Sequence, residues 1–405
     1  MTKKSDAPAI RFKGFSDAWE QRKLGEIGSV SMCRRIFKEQ TSETGDIPFY
    51  KIGTFGADPD AFISRELFEE YKSKYPYPQK GDILISASGS IGRAVEFAGN
   101  NEYFQDSNIV WLNHDERLSN PFLKCFYSVV KWAGIEGSTI KRLYNDNILN
   151  TVICMPSVPE QKRIGLFFEN LDNLITLHQR KFEKLTNVKK SMLEKMFPQN
   201  GSSYPEIRFK GFTDPWEQRK LGDVGETYTG LSGKTKADFG HGQARFVTYM
   251  NVFSNPISNP EMTEPIEIDP KQNEVEVGDV FFTTSSETPE EVGMSSVLLE
   301  KRGKIYLNSF CFGFRPTEKI DSYYLAYMLR SESAREKIIL LAQGISRYNI
   351  SKNKVMEIAV SLPSLDEQKL IGQYFRQLDN LITLHQRELE KLQNIKKSML
   401  EKMFV

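Results

Sequence analysis

The chain has little cysteine, little histidine, no excess charge of either sign and no long apolar run. Its four cysteines, Cys33, Cys125, Cys154 and Cys311, include no CxxC pair. A disulfide framework and a zinc site are therefore disfavoured, and a reducing cytoplasmic location is expected. Because no apolar run reaches about 18 residues, no membrane-spanning helix is expected. Lysine plus arginine (54) balances aspartate plus glutamate (53), which argues against a protein that binds nucleic acid through overall positive charge.

Motifs for catalysis and cofactor binding are also scarce. The segment TGLSGKT lacks the first glycine of a phosphate-binding loop, because Tyr228 stands at that position. The four histidines do not have the spacing of metal ligands. Glu160 and Lys162 loosely resemble the carboxylate and lysine of a metal-dependent nuclease, which would also need an aspartate upstream. The second copy of the motif has no aspartate in that upstream position. The sequence therefore predicts no catalytic residue, no metal and no bound cofactor, and Glu160 is interpreted as part of a helix cap.

What the chain does contain is an internal repeat. Residues 171–197 and 378–404 differ at only four of 27 positions. Residues 10–28 (IRFKGFSDAWEQRKLGEIG) match 207–225 (IRFKGFTDPWEQRKLGDVG) almost as closely. The protein is therefore expected to consist of two half-molecules that share one framework.

The two inserts between the repeated blocks, 29–156 and 226–363, barely resemble each other. Both contain short apolar runs separated by Gly, Pro and Asn, together with helical stretches, which indicates strands, turns and helices in each. GDILISASGS and GDVFFTTSSE occupy the same relative position, 197 residues apart. We expect two globular domains of the α/β (α+β) class with the same fold and different surface loops.

A long helix follows each insert. Ser157 and Glu160, like Ser364 and Glu367, have the spacing of a capping box. About 40 residues without proline then predict a helix of about 60 Å. A heptad assignment places these residues on the a and d positions: Leu171, Leu174, His178, Leu185, Val188 and Met192, and their copies Leu378, Leu381, His385, Leu392, Ile395 and Met399. Two antiparallel coiled-coil helices related by a pseudo-twofold axis are the expected arrangement.

These patterns predict the domain organisation. We expect a flexible tail (1–9), a first globular domain (10–156), a first helix (157–198), a linker (199–206), a second globular domain (207–363) and a second helix (364–405).

Basic and polar loops near both ends of both inserts are the strongest binding signals. Arginine can fork onto guanine and asparagine onto adenine, while serine and threonine hydroxyls bind phosphates. The segment 137–145 near the end of the first insert has 344–349 as its counterpart. The candidate DNA-binding residues are Arg34, Arg35, Lys38, Ser88, Ser90, Arg93, Lys141, Arg142, Tyr144, Lys234, Lys236, Arg245, Ser285, Ser286, Arg347, Tyr348 and Asn349.

The layout resembles the specificity subunit of type I restriction–modification systems. The segments at 19–25 and 216–222 (WEQRKLG) resemble that family's domain openings, and those at 156–161 and 363–368 resemble its entry into the spacer helix. The resemblance implies a non-catalytic subunit with two target recognition domains, each recognising one half of a split site in double-stranded DNA.

It also implies partners. The helices would set the spacing between the half-sites and bind two methyltransferase subunits, to which restriction and translocase subunits are added for cleavage. S-adenosylmethionine would then belong to the methyltransferase subunit. The candidate partner-binding residues are Leu174, His178, Leu185, Leu381, His385 and Leu392. Two alternatives stay open: an autonomous DNA-modifying enzyme, and a coiled-coil adaptor with no role at DNA.

Overall fold

The computed structural model describes residues 7–133, 142–199 and 201–404. Two compact units divide these residues. Unit 1 combines the residues up to Gln179 with those from Arg387 onward, and unit 2 contains Arg180–Gln386. Because unit 1 takes residues from both ends of the sequence, its core cannot be completed by one continuous stretch of chain.

The first half of the chain contains nine strands and four α-helices among its described residues. The strands are β1 Glu20–Lys23, β2 Gly28–Met32, β3 Ile47–Tyr50, β4 Phe62–Ile63, β5 Ile83–Ser86, β6 Ala94–Glu96, β7 Tyr103–Phe104, β8 Ile109–His114 and β9 Val152–Met155. The helices are α1 Arg65–Lys74, α2 Asn120–Tyr127, α3 Asn145–Asn150 and α4 Val158–Lys195.

The second half contains eleven strands and five α-helices among its described residues. The strands are β10 Glu217–Lys220, β11 Gly225–Thr229, β12 Phe239–Val247, β13 Thr263–Ile266, β14 Val280–Thr283, β15 Ser285–Ser286, β16 Ser295–Val297, β17 Ile305–Leu307, β18 Cys311–Pro316, β19 Tyr348–Asn349 and β20 Ala359–Leu362. The helices are α5 Tyr249–Ser254, α6 Ser322–Met328, α7 Glu332–Ile339, α8 Lys352–Met356 and α9 Leu365–Met403.

The two units have the same sheet topology. A four-stranded antiparallel sheet has the order β2-β8-β5-β6 in unit 1 and β11-β18-β14-β16 in unit 2. A three-stranded sheet has the order β4-β3-β7 or β13-β12-β17, and its last pair is parallel. All four residues of β5 and of β14 are buried, as expected for a short apolar run covered on both faces. The predicted repeat of one mixed fold with different loops is confirmed.

The end of a long helix closes the core of each unit. In unit 1, the Phe404 ring stacks on Phe122 at 5.2 Å and meets Trp19 edge-on at 6.2 Å, between ring centroids. In unit 2, the Phe197 ring stacks on Phe375 at 5.9 Å and meets Trp216 edge-on at 6.3 Å. Aromatic side chains bury large apolar areas, so these contacts are central to each core.

The helical segments are antiparallel within each unit. In unit 1, Phe168 near the start of α4 contacts Phe404 at the end of α9. One turn further along α4, the Asp172 carboxylate lies 2.5 Å from the Lys396 ammonium of α9. In unit 2 the equivalent pair is Asp379 and Lys189, also at 2.5 Å. The predicted antiparallel arrangement is confirmed.

The predicted seam faces inward at most of its positions, but it is wrong at Leu174 and at its copy Leu381. Leu174 and Leu381 are 44% and 43% exposed. Ile175 and Phe182, which were not assigned to the seam, are half-buried instead. The inward positions of α4 advance alternately by four and three residues through 164, 168, 171, 175, 178, 182 and 185. Lys181 lies between two of these positions and is exposed.

The glutamates at the helix starts have a different role from the predicted one. Both carboxylate oxygens of Glu160 accept hydrogen bonds from the Arg11 guanidinium, each at 2.7 Å. Glu367 pairs in the same way with Arg208, at 2.7 and 2.8 Å. Half of the predicted capping box is present in the second copy, where the Glu367 N–H donates to Ser364 Oγ at 3.4 Å. Each glutamate fastens the repeated segment 10–28 or 207–225 to its helix.

Phe197→Ala tests how much a helix end contributes to unit 2. Phe197 is 3% exposed, so its truncation should lower the free energy of unfolding by about 3–5 kcal/mol. Denaturant unfolding combined with hydrogen exchange should locate the loss of protection in peptides that contain Trp216 and Tyr324. Phe37→Ala, which removes a phenylalanine that is 57% exposed, is the control and should change stability little. Equal losses in the two variants would contradict this role for Phe197.

Candidate nucleic-acid interface

Three backbone segments meet at one place in unit 1. The chain leaving β5 at Ala87 donates its N–H to the Asn108 carbonyl at 2.7 Å, and the Ala87 carbonyl accepts from the Leu143 N–H at 2.7 Å. Ser88 and Arg142 form the next bridge between the same two segments. We call residues 87–88, 108 and 142–143 the first junction.

Unit 2 builds the same arrangement. The Thr284 N–H donates to the Phe310 carbonyl at 3.0 Å, and the Thr284 carbonyl accepts from the Ile350 N–H at 3.0 Å. The bridge widens here into the short pair β15–β19, in which Ser285 is opposite Asn349 and Ser286 opposite Tyr348. We call residues 284–286, 310 and 348–350 the second junction.

The junctions correct the sequence correspondence between the two inserts. The repeated Tyr-Asn pair suggests that Asn145 corresponds to Asn349. In the structure, Arg142 has the bridge position that Asn349 has in unit 2. The correct offset is therefore 207 residues, the same offset that relates α3 to α8 and α4 to α9.

Three predicted residues hold one loop of unit 1. Arg35 Nε donates to the Asp106 carboxylate at 2.9 Å, and Arg142 donates to the Ser107 carbonyl at 3.0 Å. Ser88 Oγ donates to Asn108 Oδ1 at 2.9 Å. Ser107 itself has a φ of +50°, in the left-handed region that costs energy for a residue with a Cβ. Arg35, Ser88 and Arg142 therefore position the loop 106–108.

The other predicted residues of unit 1 are dispersed. The Arg34 guanidinium lies 5.2 Å from the centroid of the Tyr75 ring, and Arg93 donates to the Gly56 carbonyl at 3.0 Å. Both arginines are exposed, and so are the other candidates Lys38, Ser90 and Tyr144. Lys141 lies outside the described residues.

In unit 2, two predicted cations are engaged within the domain. Lys234 is only 13% exposed and its ammonium lies 2.8 Å from the Asp269 carboxylate. The hydrogen bond from Lys234 holds the pKa of Asp269 well below its usual range. Arg245 Nε donates to Thr263 Oγ1 at 2.6 Å. These contacts restrain both side chains, so Lys234 and Arg245 are weaker candidates than the sequence suggested.

The remaining candidates of unit 2 surround the second junction or stay exposed. Arg347 and Asn349 are exposed, and so is Lys236 in its separate loop. Ser285 and Ser286 are 6% and 7% exposed, and Ser286 Oγ donates to the Glu291 carboxylate at 3.1 Å. The two buried serines therefore stabilise the junction, whereas the exposed Arg347 and Asn349 can contact a ligand directly.

Sequence reasoning missed Phe310. It precedes the buried residues Cys311, Phe312 and Phe314 of β18, yet its side chain is 56% exposed. In an unbroken strand, the spacing of the phenylalanines in NSFCFGF would put position 310 on the same face as Phe312 and Phe314. The strand begins one residue later, so that rule does not apply to Phe310. The strained loop 106–108 was also missed, because φ cannot be deduced from the residues DSN alone.

A family model described as the type I restriction modification DNA specificity domain matches residues 16–187 and again 213–394. The chain belongs to this family. It is a type I restriction–modification specificity subunit with two recognition domains, and each match contains one junction.

Relatives of the specificity subunit support this assignment. A putative type I specificity subunit of Haemophilus influenzae is 60% identical over 157 residues, which are 38% of this chain and 41% of that protein. This match spans less than half of the relative's length. The putative MjaX specificity subunit of Methanocaldococcus jannaschii is 24% identical over 94% of this chain and 92% of that protein.

A solved structure supports the fold of the specificity subunit. The type I restriction–modification S subunit from M. genitalium has a TM-score of 0.55 and 15% identity, and the match covers 98% of this chain and 99% of that one. At this level of identity the likeness concerns the fold alone.

The long helices of the specificity subunit carry exposed apolar residues. Leu174 and Leu177 on α4 are 44% and 46% exposed, and their copies Leu381 and Leu384 on α9 are 43% and 51% exposed. The other predicted partner-binding residues differ, because Leu185 and Leu392 pack against the cores of units 2 and 1. His178 and His385 are half-buried.

Two kinds of feature are not found in the described part of the specificity subunit. Within it, no group of three or more His, Cys, Asp or Glu side chains could hold a metal ion. No helix among the same residues is long and apolar enough to cross a membrane. Glu160, the residue that resembled a nuclease carboxylate, is fully buried against Arg11.

Arg142→Ala tests the support of the loop 106–108. Loss of a charged hydrogen-bond donor to the Ser107 carbonyl should destabilise the closed loop by about 1.4 kcal/mol, which corresponds to about ten-fold faster exchange. Hydrogen exchange of the Ile109 amide, which donates to the Gln105 carbonyl at 3.1 Å, reports this opening. Lys38→Ala is the matched cation control. An unchanged exchange rate in Arg142→Ala would mean that Arg142 does not stabilise the closed loop.

Proposed function

We propose that each unit recognises one half of a bipartite site in double-stranded DNA through its junction. The observation that carries this proposal is that the same backbone bonding occurs twice with different side chains on it. Asn108 and Arg142 occupy the positions that Phe310 and Asn349 occupy in unit 2. A constant scaffold with changed side chains is what two different half-sites require.

The side chains at the second junction and beside it suit base edges. The exposed Arg347 can donate two bonds to guanine, and the Asn349 amide can pair with adenine in the major groove. Exposed cations such as Lys236 supply phosphate contacts, which fix position without selecting sequence. Direct recognition therefore rests on few side chains per unit.

The specificity subunit is proposed to be non-catalytic and to work with partner subunits. With a net charge of +1, it offers little non-specific attraction for DNA. Methyltransferase subunits would add phosphate contacts and bind S-adenosylmethionine, and restriction and translocase subunits would join for cleavage. No cofactor is assigned to this chain itself.

Two methyltransferase subunits are proposed to bind the duplicated helix surface. Identical partners require identical surfaces, and LDNLITLHQR occurs in both helices. The exposed pairs Leu174 and Leu177, and Leu381 and Leu384, lie in these identical stretches. Exposed leucines spaced three residues apart on a helix form an apolar contact surface.

The test of the function is an exchange of recognition domains. The subunit is co-expressed with its methyltransferase, and methylated bases are mapped across the genome. Replacing residues 226–363 with the corresponding insert of a relative should change one half of the methylated sequence and leave the other half intact.

The reciprocal replacement of 29–156 is the matched control and should change the other half. A replacement that changed both halves of the methylated sequence would contradict the proposal that each unit recognises one half-site. Methyl transfer or cleavage by the purified chain alone would favour an autonomous enzyme. A methyltransferase complex without sequence preference would favour an adaptor.

Leu174→Ser combined with Leu177→Ser tests the partner surface. Removal of two exposed apolar side chains should release one of two methyltransferase copies, because the α9 surface remains. Native mass spectrometry of the complex measures this stoichiometry. Leu166→Ser is the control, since Leu166 is 54% exposed but its counterpart in the repeat is Gln373. Two bound copies in the double variant would exclude this surface.

A further inference from the structure

An apolar ring stands at the second junction. The Phe310 carbonyl accepts two hydrogen bonds from Thr284, one from its N–H and one from its hydroxyl, each at 3.0 Å. The Phe310 N–H donates to Asn308 Oδ1 at 2.9 Å. The backbone is thus fixed on both sides while the side chain is 56% exposed. A fixed backbone lowers the entropy that the ring would lose on binding.

A second apolar side chain lies in the neighbouring loop. Gln343 and Asn349 exchange two backbone hydrogen bonds of 2.9 Å and close a five-residue loop in which Ile345 is 97% exposed. Asn349 also pairs with Ser285, the residue after Thr284. Phe310 is therefore hydrogen-bonded to the residue before β15, and Ile345 lies in the loop that closes at Asn349 of β19, the strand paired with β15. Arg347 lies in the same loop as Ile345.

Formation of the junction does not account for the Phe310 ring. Unit 1 builds the same junction with Asn108 at the position of Phe310, and the Asn108 amide accepts from Ser88. A phenyl group is therefore not needed to form the junction. Exposed apolar groups beside Arg347 and Asn349 fit a ligand surface that is itself partly apolar.

We propose that Phe310, together with Ile345, contacts the 5-methyl group of a thymine in the half-site that unit 2 recognises. This inference rests on the proposed function and names part of its specificity. The thymine methyl group is the apolar feature of the major groove, where other base edges present hydrogen-bonding atoms. Unit 1, with an amide at this position, lacks this apolar contact at its own junction.

Deoxyuridine provides the test because it removes only the methyl group and keeps base pairing. The complex of the full chain with its methyltransferase is titrated with duplexes that carry the mapped site. Each thymine in the unit 2 half-site is replaced singly by deoxyuridine. At one thymine, the replacement should weaken binding about three- to ten-fold.

The same replacement should have no effect in Phe310→Ala or in Ile345→Ala, because the contact is already lost. Arg347→Ala should weaken binding to both duplexes equally and keep the methyl sensitivity. Val277→Ala is the matched apolar control. Val277 is 60% exposed and precedes β14, whereas Thr284 follows it, so this variant should bind like the unaltered chain.

Several outcomes would overturn the inference. They are a half-site without thymine, no sensitivity to any deoxyuridine, or full sensitivity retained in both apolar variants. A change in oligomeric state without a change in DNA binding would instead assign Phe310 to contact with a second protein chain. If the unaltered complex shows no sequence preference, the proposed function fails as well. If it is sequence-specific but insensitive to the methyl group, only this inference fails.

Discussion

The core of each unit depends on a helix end that arrives from a distant part of the sequence. Phe404 lies 282 positions after Phe122, on which it stacks. Phe197 meets Phe375 in the same manner. Each long helix therefore has two duties: its first turns complete one core and its last turns complete the other. A substitution at one helix end would therefore weaken the packing of a core whose other residues are distant in the sequence. This constraint fits the repetition of Phe197 and Phe404 at equivalent positions of the helix repeat.

The buried ion pairs explain why the segments that open each half are repeated as well. Arg11 with Glu160 and Arg208 with Glu367 are bidentate pairs whose carboxylates are almost fully buried. Burying both charges costs desolvation, so such a pair adds less net stability than its geometry suggests. Removing one partner, however, leaves an uncompensated buried charge. The pair thus specifies where the segment attaches to the helix, and both members must be kept in both copies.

The sequence was sufficient to predict features that depend on periodicity and repetition. These include two copies of one mixed fold, two long helices and their antiparallel packing. It was insufficient where alternatives share the same pattern. A serine and a glutamate three residues apart are compatible with a capping box, but Arg11 is a stronger hydrogen-bond donor for the carboxylate than a backbone N–H. Leu174 and Ile175 are both apolar neighbours, so only packing decides which of them faces inward.

The residues of the candidate site were harder to predict from the sequence than the fold. Composition identified basic and polar loops, and the structure brings Ser88 and Arg142 together, as it does Ser285 and Asn349. Composition could not tell which cations have protein acceptors. Lys234 is held by Asp269, Arg35 by Asp106 and Arg142 by the Ser107 carbonyl. An arginine fixed in this way orders a loop at the expense of its own contact with a ligand.

The use of cations to order loops is consistent with the near-neutral charge of the chain. Because Lys234, Arg35 and Arg142 are engaged within the domains, fewer cations remain to neutralise phosphates, which keeps non-specific binding weak. Under the proposed function, weak non-specific binding is an advantage, because specificity is a ratio of two affinities. Ordered loops then present a small number of exposed groups. At the second junction these groups are Phe310 and Asn349, whereas the polar residues of the first junction are half-buried. The constant scaffold supplies the geometry, and these few side chains supply the difference between the two units.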